Sequence, residues 1–112
     1  MPNSLFPDVS GSDARLALRE RYLDLVNRIL PEAAASRRWP VRFDHCFARI
    51  VLDHTFGKRW YDALDRKKGP AYKQLTAPQL ERAIAHAEAM LNGPDDIAWS
   101  MNQRSLEWRG KA

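Results

Sequence analysis

One cysteine, Cys46, is all the thiol in this chain, so no intrachain disulfide can brace it and nothing asks for an oxidising compartment. Glycine is scarce as well. The five present sit near the ends and at turns, leaving no GxGxxG, Walker-type or GxSxG pattern to cradle a phosphate or present a nucleophile. No run approaches the roughly twenty apolar residues needed to cross a bilayer. The N-terminal MPNSLFPDVSGSDARL also lacks a basic stretch followed by an apolar one. Membrane insertion and secretion are therefore not expected, and a reducing cytoplasm is the expected setting. Missing too is any sustained alternation of β-branched and polar residues, and the Asn92-Gly93 pair follows a helical run rather than joining two strands.

What is present reads as helices in one domain, the natural division for 112 residues. Pro2, Pro7 and Gly11 make residues 1–11 an expected loose arm, with the helical domain spanning 12–109 and residues 110–112 frayed. A first helix is expected from Ser12 as N-cap, with Leu18, Tyr22, Leu25 and Ile29 on one face and Pro31 as its stop. A second is expected over Arg42 to Phe56, where Phe43, Phe47 and Ile50 share a face and Gly57 takes the position after the end. A short helix over Arg59 to Leu64 gives way at Gly69-Pro70. LTAPQL at 75–80 combines a Thr76/Gln79 capping box with a Leu75/Leu80 hydrophobic staple, opening a helix that ends at Asn92-Gly93-Pro94. Asp95 and Asp96 open the last. The expected fold is all-α: a compact bundle or orthogonal array of about four main helices plus one or two short ones.

FDHCFARIVLDHTF invites a catalytic or metal reading, which helical geometry argues against. His45 and His54 are nine residues apart and point to opposite faces. His45 and Cys46 are successive residues, and no His pair stands at a spacing of three or four. Neither a metal nor another cofactor is expected. Cys46 reads as a small buried hydrophobe, Arg49 and Asp53 as an i, i+4 pair, His54 as a group favoured at a helix C-terminus, and His86 as a surface residue. His45 reads either as a hydrogen-bonding group at the core edge or as a ligand contact. Glu81, Glu88 and Glu107 stand on separate turns or helices and offer no acid and base pair.

The charge is more telling. KRWYDALDRKKGPAYK at 58–73 holds six basic and two acidic residues, a surplus equal to the net +4 of the whole chain. Lys58, Arg59, Arg66, Lys67, Lys68 and Lys73 are interleaved there with Trp60, Tyr61 and Tyr72, supplying both phosphate neutralisers and stacking surfaces. SRRWPVR at 36–42 repeats the mixture with Arg37, Arg38 and Arg42. The two clusters could form one basic patch if they lie at the same end of the molecule. The alternative is a solvated rim with the aromatics turned inward. Trp99 and Trp108, nine apart on one helix, cannot face the same way, so at least one is expected near the surface.

The segments FDHCFARIVLDHTFGKRWYDAL, PAYKQLTAPQLERAIAHAE and NQRSLEWRGK resemble a family of short bacterial proteins labelled as relatives of GNAT-type acetyltransferases, over about residues 40–110. That label implies an acyl-coenzyme A site built from a strand, a glycine-rich pyrophosphate loop and a helix. The sequence has neither the strand nor the loop, so no catalytic residue is carried over. Three classes stay open. One is a nucleic-acid-binding module using the basic residues named above with Trp60. Another is a protein-interaction or regulatory domain with an apolar groove for a partner helix or a second copy. The third is a small-molecule or enzymatic role centred on a pocket at His45, Tyr61 and Tyr72. Binding rather than catalysis is the expectation.

Overall fold

The computed structural model describes residues 6–111, with side chains described from residue 13. Helix α1 (Phe6–Asp24) runs without a break into a π-helical turn (Leu25–Ile29) and then α2 (Leu30–Ala34). It begins ahead of the expected Ser12 cap, because Pro7 falls in the first turn, where its missing N–H breaks no intrahelical bond. The arm expected over 1–11 is thus helical from Phe6, and residues 1–5 lie outside the described residues.

Pro31 does not stop the helix. A proline there removes the N–H that would bond the carbonyl of Asn27 and drives its ring toward that carbonyl. The chain answers by widening: the Leu30 N–H reaches back five residues to the Leu25 carbonyl, and α2 continues with Pro31 in its first turn. The π-turn is the local relief of the proline clash, and it rotates Val26 and Asn27 relative to an unbroken α-helix.

Helix α3 (Asp44–Phe56) follows, with Phe43 as its extended N-cap and Gly57 at φ +66° after its end. Phe43 therefore leaves the helical face assigned to it and is 64% exposed, whereas Phe47 and Ile50 are fully buried. Short α4 (Trp60–Ala63), a 3-10 turn (Arg66–Lys68) and α5 (Ala71–Gln74) occupy the stretch expected to hold one short helix and a turn. Helix α6 (Ala77–Asn92) opens on both halves of the capping box: the Gln79 N–H donates to Thr76 Oγ1 and the Thr76 N–H to Gln79 Oε1. Leu75 and Leu80 are both buried beside it.

Helix α7 (Asp95–Trp108) ends in a Schellman motif rather than fraying. Gly110 adopts φ +70°, its N–H bonds the Glu107 carbonyl at 3.0 Å, and the Lys111 N–H bonds the Leu106 carbonyl at 2.8 Å. The motif fixes Arg109 as the C-cap.

The architecture is all-α, with no strand among the described residues. Helix α3 is central, packed against the π-turn, α6 and α7, while α1 lies along α6. Tyr22, Leu25, Phe47, Ile50, Leu75, Leu80 and Ile84 join one apolar cluster, with Leu18 and half-buried Cys46 against its edge. None of the described helices is long and apolar enough to cross a membrane. Arginines of α1 secure the segment leading into α6: Arg15 Nε donates to the Leu75 carbonyl and Arg19 Nη2 to that of Lys73. His86 is not a surface residue. It lies half-buried with its ring 5.6 Å from that of His54, which in turn meets Trp108 edge-on at 5.0 Å.

Two measurements check this account. Thr76→Ala should lower stability by about 1 kcal/mol through loss of the cap, read as a shifted urea midpoint at constant slope; an unmoved midpoint would mean that the cap is not holding the helix. The second concerns His86, whose pKa is held below its usual value by burial first, then by the charges of His54 and Arg82. The unfolded chain therefore takes the proton first. This contribution to stability is complete above the ordinary histidine pKa of about 6.5 and is lost as pH falls through the lower folded-state value. Melting temperature should decline on acidification from pH 7 to 5, and His86→Gln should flatten that decline.

Candidate functional site

Asp53 begins the last turn of α3, beside the buried Val51 and Leu52, and has no exposed surface. A carboxylate in that position requires donors, and four converge on it. Arg109 Nε and Nη2 form a fork to its two oxygens at 2.8 and 3.0 Å, Ser105 Oγ donates to Oδ2 at 2.7 Å, and the Trp60 N–H donates to Oδ1 at 2.9 Å. One buried side chain thereby ties α3 to the start of α4 and the end of α7. The fork also holds the Arg109 pKa above its usual value, chiefly through the hydrogen bonds to Asp53.

Arg49, one turn before Asp53, does not form the expected pair with it. Its Nη1 donates to Ser105 Oγ at 2.9 Å and its Nη2 to Asn102 Oδ1 at 2.7 Å. The hydroxyl of Ser105 thus accepts from Arg49 while donating to Asp53. The i, i+4 pairing fails because Asp53 is turned into the core, where the C-cap of α7 supplies a guanidinium that forks to both its oxygens.

Around this network opens a cleft of about 530 Å³. Its apolar walls come from the α1/π-turn side (Tyr22, Leu23, Val26), from α3 (Ala48, Leu52) and from the α4–α5 segment (Trp60, Ala71, Tyr72). Arg49, Arg66 and Arg109 bring three guanidinium groups to it, and no Asp or Glu among the described residues lines it. Tyr61 gathers cations: the guanidinium carbons of Arg66, Arg109 and Arg59 lie 4.4, 5.1 and 5.2 Å from its ring centre.

All three residues expected to make a pocket, His45, Tyr61 and Tyr72, line this cleft together with Trp60 and Arg66. His45 stands at its edge, 78% exposed and stacked on Phe43 at 5.9 Å. Lys58, Lys67, Lys68 and Lys73 are exposed, whereas Arg59 is forked to Asp62 at 2.8 and 3.0 Å. Trp60 is half-buried against the core edge, neither a free platform nor a core residue.

The second basic cluster does not join the first. Arg37 donates all three guanidinium nitrogens internally, to Asp95 Oδ1 and to the carbonyls of Leu91 and Gly93, closing the α6–α7 turn. Arg42 donates to the Ala34 carbonyl, and the Arg38 N–H to Asp95 Oδ2. Trp39 is buried and meets Phe47 edge-on at 5.6 Å. The Arg37 and Arg38 contacts to Asp95 lie at the beginning of α7, while Arg109 and the 58–68 segment meet at its far end, about 20 Å away for a helix of this length. Trp99, 54% exposed, is the surface tryptophan, its ring N–H donating to the Arg38 carbonyl at 2.6 Å.

Among the polar and charged cleft residues, Tyr22, Asn27, Arg49 and Arg109 lie outside the set named from sequence. A signal existed for one of them. Asp53 among Val51, Leu52 and Thr55 is a carboxylate in an apolar run that requires a distant cation, and Arg109-Gly110 is a basic residue at a glycine-closed helix end. No family model, curated protein or solved structure matches the chain. The site is therefore read from its own chemistry.

Arg109→Met should destabilise the protein by about 3–5 kcal/mol, because it leaves Asp53 buried without its cation. Adding Asp53→Asn should recover part of that loss in urea denaturation. A single variant as stable as the wild type would remove the ion pair from its place in the fold.

Proposed function

We propose that this protein is a small basic all-α binding module whose ligand is an anion carrying a flat or apolar body, held in the cleft between the α1/π-turn side, α3 and the α4–α5 segment. The observation that carries this reading is the convergence of Arg49, Arg66 and Arg109 on a cleft walled mainly by aliphatic and aromatic side chains and lined by no carboxylate among the described residues. Burying an anion requires donors that are already in place. Arg49 and Arg109 are held by Ser105, Asn102 and Asp53, and each retains an N–H that makes no hydrogen bond among the described residues. Nothing in this arrangement pairs a nucleophile with a base, so binding rather than catalysis is the reading it supports. The acetyltransferase label attached to the resemblance does not enter it.

A second reading has its own observation. Lys58, Arg66, Lys67, Lys68 and Lys73 are exposed and form no ion pair among the described residues, and Arg66 also lines the cleft. They suit the backbone of a nucleic acid, with the cleft taking a base. A protein-partner surface would have to begin from Leu16, Phe43 and Trp99, exposed large apolar groups that stand on three different elements.

The test uses anilinonaphthalene sulfonate, a flat anion, titrated into labelled protein and followed by two-dimensional NMR. Amide shifts should concentrate at Ala48, Leu52, Ala71 and Tyr72, and the uncharged anilinonaphthalene should bind about tenfold more weakly, the worth of one charge-assisted contact. Shifts scattered over the surface, or equal binding of the neutral analogue, would overturn the cleft reading. For the nucleic-acid reading, changing Arg66, Lys67 and Lys68 together to Ala should lower the log–log salt slope on duplex DNA by up to about three. A wild type that binds neither DNA nor RNA at low salt removes that reading.

A further inference from the structure

Tyr22 is 2% exposed, yet its phenol lines the cleft and has no hydrogen-bond partner among the described residues. The fully enclosed unpaired side-chain atoms among the described residues are Arg19 Nε and Trp39 Nε1, so the Tyr22 hydroxyl keeps contact with the open volume, where a ligand's polar edge would take the place of water. Burial alone raises the Tyr22 pKa, so the group stays an O–H donor at any ordinary pH. Across the same cleft, Trp60 and Tyr72 present aromatic surface, and the Asn27 amide, brought round by the π-turn, offers both a donor and an acceptor. Tyr61 is occupied by the guanidinium groups around it, leaving Trp60 and Tyr72 as the surfaces for a ring.

Charge narrows the class. Three guanidinium groups against the single carboxylate of Asp53 leave a surplus of two positive charges at the site. A carboxylate or sulfonate would answer one of them, and a phosphate monoester dianion answers both. Each arginine has donors to give: Arg66 has no carboxylate partner among the described residues, Arg109 uses Nε and Nη2 on Asp53 but not Nη1, and Arg49 uses both Nη atoms but not Nε. The volume of about 530 Å³ suits a ligand of roughly twenty to twenty-five non-hydrogen atoms. That is one nucleotide's worth, far short of a strand or of a coenzyme A.

Resting on the anion-binding reading above, we propose that the cleft takes a phosphate monoester carried on a flat heterocycle, a nucleoside monophosphate in chemical class, with the ring against Trp60 and Tyr72, a polar ring edge at Tyr22 and the phosphate among Arg49, Arg66 and Arg109. Such a group exists free in solution or as the terminal nucleotide of a single strand, and the chemistry recognised is the same.

The experiment is calorimetric and NMR titration of the whole chain with AMP, GMP, CMP and UMP, with adenosine and inorganic phosphate as the separated halves. At least one monophosphate should bind with shifts at Ala48, Leu52, Ala71 and Tyr72, at least tenfold tighter than either half. Tyr22→Phe should weaken that binding about fivefold or more without lowering the melting temperature, since the hydroxyl has no partner to lose. Arg66→Ala, an exposed change, should weaken it about tenfold. A six-residue oligonucleotide carrying a 5′-phosphate distinguishes the sources: tighter binding than the mononucleotide assigns the strand end, and equal or weaker binding assigns the free nucleotide. If the anilinonaphthalene probe enters the cleft and no monophosphate does, the phosphate-monoester class is wrong and the anion site stands. If neither enters, both fall. Unchanged nucleotide affinity in Tyr22→Phe and Arg66→Ala would also overturn the proposal.

Discussion

The Asp53 carboxylate, buried in the last turn of α3, is the interaction on which the rest of the molecule turns. Alone it would be among the most unfavourable groups in the chain; bound by Arg109, Ser105 and the Trp60 N–H, it becomes the joint between three segments remote in sequence. Replacing the whole cluster by apolar groups of the same shape would remove the need for it. What the cluster supplies beyond cohesion is position. It places Arg109 at the cleft, orients Arg49 through the shared Ser105 hydroxyl, and sets the first turn of α4, from which Trp60 and Tyr61 project.

The proline at 31 contributes from the other side. A helix that simply stopped there would end α1 one turn after the core contacts of Leu25 and Val26. The π-turn instead keeps the chain helical through Leu30 and Ala34, both fully buried, while turning Val26 and Asn27 to the cleft. Local strain relief and the shape of the site have one cause.

Legibility in the sequence followed the range of the forces involved. Signals carried by neighbours in the chain were readable: the Thr76/Gln79 box with its leucine staple, the left-handed Gly57, the all-α class and the inward lines of α3 and α6 all appear in the structure. Phe43 was misplaced because periodicity says nothing about where a helix begins, and one residue outside the helix is enough to turn a side chain away. Pro31 was misread because a proline forbids one hydrogen bond, not every helical path. Of the cleft, the aromatic and basic residues at 58–73 were visible as composition. Their partners Tyr22, Arg49 and Arg109 were not, since only the packing of the π-turn and α7 on α3 brings them within reach. Arg37 and Arg42 look the same in sequence as Arg66, and what separates them is the set of unpaired carbonyls each meets.

That separation bears on how an anion could be held. An anion that drew Arg109 fully to itself would strip Asp53 of its cation, and the loss would exceed what one exposed ion pair returns. The favourable mode leaves the Nε and Nη2 fork on Asp53 and takes the outward Nη1, just as Arg49 can give Nε while both Nη atoms stay on α7. Arg66, stacked on Tyr61 and tied to no carboxylate, is the one of the three that can move to meet a ligand. The site thus combines two cations held by the core with one exposed cation stacked on Tyr61. Part of the ordering of charge has already been met in folding, and a single exposed side chain is left to close over the ligand.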